Sequence, residues 1–179
     1  MKDLLQALDD ILKLDFKQDT ESGSYILKEP ENPVDYPITI IKKKGKALSY
    51  KFDTKKVNIF PLFKKEVAFL TQICDYIIFY PFEQKMFVFL CELKTNNITG
   101  SSKQLQSSEI LANYIVKMAT KHLNLKSFDV EYRALVFSTS NTIRFATNVK
   151  KDAYLKYPSG LKHKHLRAGE DCQLDHHCY

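Results

Sequence analysis

Three residues carry the chemistry worth following: Asp75, Glu92 and Lys94. The stretch Cys74-Asp75-Tyr76-Ile77-Ile78-Phe79-Tyr80 sets an acid at the head of an apolar, β-rich run, and Met86-Phe87-Val88-Phe89-Leu90-Cys91-Glu92-Leu93-Lys94 closes the next such run with Glu-x-Lys. If the two runs pair as a hairpin turning about Glu83–Gln84, Asp75 and Glu92 stand directly opposite, with Cβ atoms about 5 Å apart. Lys94, two residues on, falls on the same face. Facing carboxylates repel, and a divalent cation between them turns that cost into a binding site. Oxygen ligands suit Mg²⁺ or Mn²⁺, and Mg²⁺ commonly takes only one or two carboxylates plus water and substrate phosphate. The two acids and the backbone carbonyl of Leu93 would hold the ion. It would lower the pKa of a bound water and neutralise charge on a phosphate. Lys94 would position or deprotonate that water, or offset charge in the transition state.

Glu-x-Lys alone says little, since Glu83-Gln84-Lys85 repeats it in the expected turn. What sets Glu92 apart is the apolar strand behind it, a partner acid at the right spacing, and the polar loop and helix that follow. The competing interpretation is a pair of strand-end charges with Lys94 as counter-ion to Glu92.

The elements that must position these residues follow from periodicity. Leu4, Leu5, Leu8, Ile11 and Leu12 recur at helical spacing, which predicts an amphipathic helix over 3–14. Residues 15–36 are polar and contain Pro30 and Pro33, as a linker or extended arm would. Ile38–Ile41 and Ala47–Phe52 read as strands flanking the turn Lys43-Lys44-Gly45-Lys46. Pro61 is expected to open a helix reaching Ile73, with Phe63, Val67 and Leu70 on one face. After the two apolar runs, a polar loop from Thr95 to Ser102 precedes a long helix over 103–122, whose apolar side includes Leu105, Ile110, Leu111, Tyr114, Ile115, Met118 and Ala119. Val130–Ser138 and Ile143–Val149 complete the strands, and Pro158-Ser159-Gly160 marks a turn before a polar, basic tail. The order predicts a mixed α/β fold: an acidic helix and arm over 1–36, a core over 37–160 and a tail over 161–179.

Composition narrows the classes. The chain has 179 residues, is 44% hydrophobic and holds ten Tyr and twelve Phe, so it can bury a core and is not a low-complexity sequence. No run approaches the roughly eighteen apolar residues of a membrane span. Asp9 and Asp10 follow soon after Met1-Lys2-Asp3, unlike a secretory leader, and four Cys are too few for a disulfide scaffold. A reduced, cytoplasmic protein is expected. Residues 1–36 carry four Lys against nine Asp and Glu, while the whole chain is +6, so the rest is strongly basic. A basic body suits a polyanion, nucleic acid first.

At this point the chain resembles the PD-(D/E)xK nuclease superfamily. The resemblance spans about residues 58–138: a helix, a strand beginning at Asp75, a strand ending Glu92-Leu93-Lys94, a helix and a further strand. It implies a restriction-endonuclease-like fold, a central mixed β-sheet flanked by helices, and Mg²⁺-dependent hydrolysis of nucleic-acid phosphodiesters. By the resemblance Asp75 and Glu92 would bind metal and Lys94 would serve the water. Some members of the superfamily add an acid from the preceding helix, for which Glu66 is the candidate, and others a Gln from the following one, for which Gln104 or Gln106 is. Residue 74 is Cys where the motif's name has Pro, and neither Gln is followed four residues later by Tyr, so no subfamily is assigned.

Other clusters have two interpretations each. Lys43, Lys44 and Lys46 crowd one turn, Lys103 opens the long helix, and Lys162, Lys164 and Arg167 alternate with His163 and His165. All are candidate phosphate contacts, or else solvated surface. Cys172, His176, His177 and Cys178 suggest zinc, or else a frayed terminus. Cys74 and Cys91 read as buried thiols on the strand face opposite Asp75 and Glu92. A nuclease-like domain that only binds nucleic acid or protein is the alternative to an enzyme, with the N-terminal helix as docking element or two copies pairing.

Overall fold

The computed structural model describes residues 2–28, 37–42, 45–54, 59–64, 66–94, 100–139 and 153–179. In chain order they form helix α1 (Lys2–Ile11), β1 (Tyr25–Leu27), β2 (Ile38–Ile41), β3 (Leu48–Tyr50), β4 (Tyr76–Phe82), β5 (Lys85–Lys94), helix α2 (Ser101–His122), β6 (Asp129–Ser138), β7 (Leu155–Lys156), β8 (Lys162–Arg167) and β9 (Cys172–Gln173), with 3₁₀ turns at Leu14–Phe16 and Leu174–His177. The fold is mixed α/β with two mixed sheets. One has the order β3-β4-β5-β6-β8-β7, the other β1-β2-β9.

The β4–β5 hairpin has the expected register, Tyr76 opposite Cys91 and Phe82 opposite Lys85. Its tight turn places Glu83 at φ 53. Strand β5 then runs parallel to β6, and β6 parallel to β8. Parallel neighbours need a crossover, and α2 supplies it between β5 and β6. The central strands are apolar on both faces because both are covered. On one face Ile77, Phe79, Val88, Leu90, Ala134 and Val136 pack with α1 and α2. On the reverse face Ile78, Tyr80, Phe87, Phe89 and Phe137 pack against Tyr25, Leu27, Ile38 and Ile40 of the small sheet. Each fully buried aliphatic or aromatic side chain contributes about 1.5–3 kcal/mol.

Several expectations are corrected. The segment read as an arm contains β1, paired antiparallel to β2. Strands β2 and β3, on either side of the expected Lys43–Lys46 turn in sequence, enter different sheets. The described residues of 61–71 form turns and bends instead of a helix, with i+3 hydrogen bonds such as Val67 N–H to Lys64 C=O and Leu70 N–H to Val67 C=O. The reason is twofold: Phe69 sits at φ 66, and Leu62, Phe63, Val67 and Leu70 stay exposed. A short helix without a buried face is marginal. The basic tail is not a tail. Strand β8 lies inside the central sheet between β6 and β7, and Leu174, Asp175 and His177 are buried. The Arg133 guanidinium donates to the carbonyls of His177, Cys178 and Tyr179, which clamps this segment to β6. Finally, Leu4 and Leu8 of α1 are fully buried in the chain's own core, while Ile11 of the same helix stays exposed. The expected strand over 143–149 lies outside the described residues. Among the described residues no helix is long and apolar enough to cross a membrane.

Candidate active site

Asp75 and Glu92 meet at the open end of the hairpin because the chain enters β4 at the residue where β5 ends its buried run. Helix α2 fixes that entry: the Ser108 hydroxyl accepts from the Cys74 N–H at 2.7 Å and donates to the Gln104 carbonyl at 2.7 Å. Ser107 donates to the Phe69 carbonyl at 3.3 Å. The helix begins after Gly100, whose φ of 85 and 2.7 Å approach of a built Cβ to Phe69 leave no room for a side chain.

One Asp75 oxygen, Oδ2, accepts from the Leu93 N–H at 2.7 Å. Glu92 is buried, 2% exposed. Its Oε1 meets the Lys94 ammonium at 2.5 Å, while Oε2 is buried without a hydrogen-bond partner. Burial first, then the Asp75 charge, push the Glu92 carboxyl up to about 8, against the pull of Lys94. Lys94 Nζ also donates to Gln104 Oε1 at 3.1 Å. The structure therefore brings together Asp75, Glu92, Leu93, Lys94 and Gln104. An unpartnered buried carboxylate oxygen opposite a second acid fits a hard cation, for which Asp75, Glu92 and the Leu93 carbonyl are the available oxygens. Among the described residues no group of three or more His, Cys, Asp or Glu is placed to hold a metal, so such an ion would rely on water and substrate oxygens for the rest of its shell.

The other expected residues lie elsewhere. Glu66 is exposed in the turns that replace its helix. Lys103 is exposed on α2, with its ammonium 5.0 Å from the Phe69 ring centre. Lys46 lines a cleft with Asp9, Tyr25, Lys42 and Pro81. Pro81 is six residues along β4 from Asp75, so this cleft sits roughly 20 Å away at the turn end of the hairpin. Lys43 and Lys44 lie outside the described residues. The β8 cations divide between faces. Lys162 pairs with Glu131 at 2.6 Å and Lys164 lies 6.0 Å from the Tyr154 ring, both on the reverse face. Arg167 alternates to the site face, exposed, with Glu170 at 3.8 Å. Cys91 faces the reverse layer and Cys74 the α2 layer, both buried and protonated. Burial likewise pushes the Cys172 and Cys178 thiols up to about 12.

Residue types had placed His163 and His165 in a candidate phosphate cluster but did not single out Tyr157 or show the rings packing together. Tyr157 stacks on His163 with ring centres 3.8 Å apart, and His163 meets His165 edge-on at 5.5 Å. The available signal was the His-x-His alternation in a strand, which puts both rings on one face. No family model matches the chain, and no match is found among curated proteins or solved structures.

Proposed function

We propose that this chain is a metal-dependent nuclease, an endonuclease on DNA, built on a restriction-endonuclease-like core formed by β4, β5, α2 and β6. One observation carries the proposal: opposed acids at the head of β4 and the end of β5, one of them a buried carboxyl whose Oε2 makes no direct hydrogen bond, beside a lysine. Mg²⁺ or Mn²⁺, when bound, would neutralise negative charge on a phosphate. Asp75, Glu92 and the Leu93 carbonyl would hold that ion. Lys94, oriented by Gln104, presents an ammonium where a phosphate oxygen or an attacking water would sit, and stabilises developing charge. The strongly basic remainder of the chain supports a polyanionic substrate. Four free, buried thiols suit a reducing compartment such as the cytoplasm.

A second reading has its own observation. Lys94 neutralises Glu92 and the Leu93 amide engages Asp75, as in a domain that binds nucleic acid or protein without cutting. Plasmid nicking with Mn²⁺ decides between them. The nuclease loses about 10²-fold or more in rate as Asp75→Ala or Lys94→Ala; the binding module retains DNA but cuts none.

A further inference from the structure

The C-terminal ends of the parallel strands line up the site with a second group of side chains. Glu92, Val136 and His165 are in register across β5, β6 and β8, and Lys94, Ser138 and Arg167 form the next row. Partners in parallel strands share a face, so His165 stands on the same side as Glu92 across Val136. Two strand spacings put it about 10 Å away. The halves differ in kind: β4 and β5 bring carboxylates, whereas the β6 and β8 positions of these rows bring Val136, Ser138, His165 and Arg167.

The imidazoles are built in. His163 is 7% exposed, sandwiched between Tyr157 and His165. Nδ1 of His163 and Nδ1 of His165 are buried with no hydrogen-bond partner. An imidazolium would bury an N–H there without an acceptor, so both rings are held neutral, the lone pair on Nδ1 and the proton on Nε2. Burial shifts both pKa values the same way. A neutral ring of fixed tautomer donates one hydrogen bond, and next to it Arg167 offers a charged fork suited to phosphate.

We propose that His165 and Arg167 form an anion subsite that receives a backbone phosphate neighbouring the one at Glu92 and Lys94. The identity of the chain carrying that phosphate rests on the nuclease reading; the subsite itself does not need cleavage. A backbone crossing from β5 to β8 would meet the acidic, metal-suited half first and the donor half next.

The test uses the full chain with a labelled DNA duplex in EDTA, and follows the imidazole C–H resonances during titration with inorganic phosphate. His165→Phe keeps ring volume and removes the donor; His165→Gln restores an N–H. Arg167→Ala changes an exposed side chain and leaves the fold intact. Expected are about tenfold weaker binding for His165→Phe and for Arg167→Ala, near-recovery in His165→Gln, and a salt slope about one lower in Arg167→Ala. With Mn²⁺, KM should rise while kcat holds. DNA binding and His165 resonances that respond as described, without any cleavage, leave the subsite standing and overturn the nuclease reading. Wild-type affinity in both Arg167→Ala and His165→Phe, with His165 resonances unmoved by phosphate, overturns the subsite even if the protein cuts. A wild-type chain that binds neither DNA nor phosphate overturns it too.

Discussion

Burying the Glu92 carboxyl opposite Asp75 makes this residue sensitive to pH and, if the proposed metal site holds, to cations. Its folded value of about 8 stands above the 4.5 of the free group. Between those values the folded state keeps a proton that the unfolded chain has released, so stability must fall as pH rises from about 4.5 to 8. The swing is on the order of a few kcal/mol. Glu92→Gln should flatten that limb, and at pH 8 should unfold at higher denaturant than wild type; a chemical-denaturation series at several pH values checks it. Mn²⁺ should recover part of the loss at pH 8 in the wild type and none in Glu92→Gln. Residue types and spacing were enough to place Asp75, Glu92 and Lys94 together, because a hairpin register is a parity rule. They could not show that Lys94 would reach back to Glu92 and sideways to Gln104, since that depends on how α2 lies over β5.

At the level of elements, α2 and β8 decide the site. Ser108 ties α2 to the entry of β4, and Ser108→Ala leaves the buried Cys74 N–H without its acceptor. It should cost about 1–3 kcal/mol in denaturant unfolding and lower any DNA cleavage, with DNA affinity held. Strand β8 carries two neutral imidazoles, lowered by burial and, for His163, by its neighbour. Below pH 6.5 the unfolded chain takes up protons that these rings refuse, so stability should fall on acidification in that range. His163→Phe should reduce the fall, measured by the same denaturation series. Strongly patterned elements such as β4, β5, α2 and β6 were legible from periodicity. The 61–73 segment was not, because its helical spacing of Phe63, Val67 and Leu70 meets no surface to bury it. Strand β8 was hidden for the opposite reason: Lys162-His163-Lys164-His165 is polar throughout, and only its place beside β6 makes it a strand.

Over the whole molecule, the sheet joins segments distant in sequence, with β3 at one edge and β8 and β7 at the other. Removing residues 161–179 would strip β8 from β6 and release Arg133 from its three carbonyls. Such a truncation should lose cooperative unfolding by circular dichroism, whereas a true tail would come off silently. That the fold is mixed α/β was readable from element order; the three-stranded layer was not, since β9 meets β2 only through the closed fold. The central claim is that Asp75 and Glu92 share one hard cation and that a DNA phosphodiester is cut there. The direct measurement is plasmid nicking by the purified 179-residue chain across Mn²⁺ concentrations, alongside Asp75→Asn. Metal-dependent nicking that disappears in Asp75→Asn, with the variant still folded, is the expected result; a folded wild-type chain that leaves the plasmid intact at every Mn²⁺ concentration contradicts it.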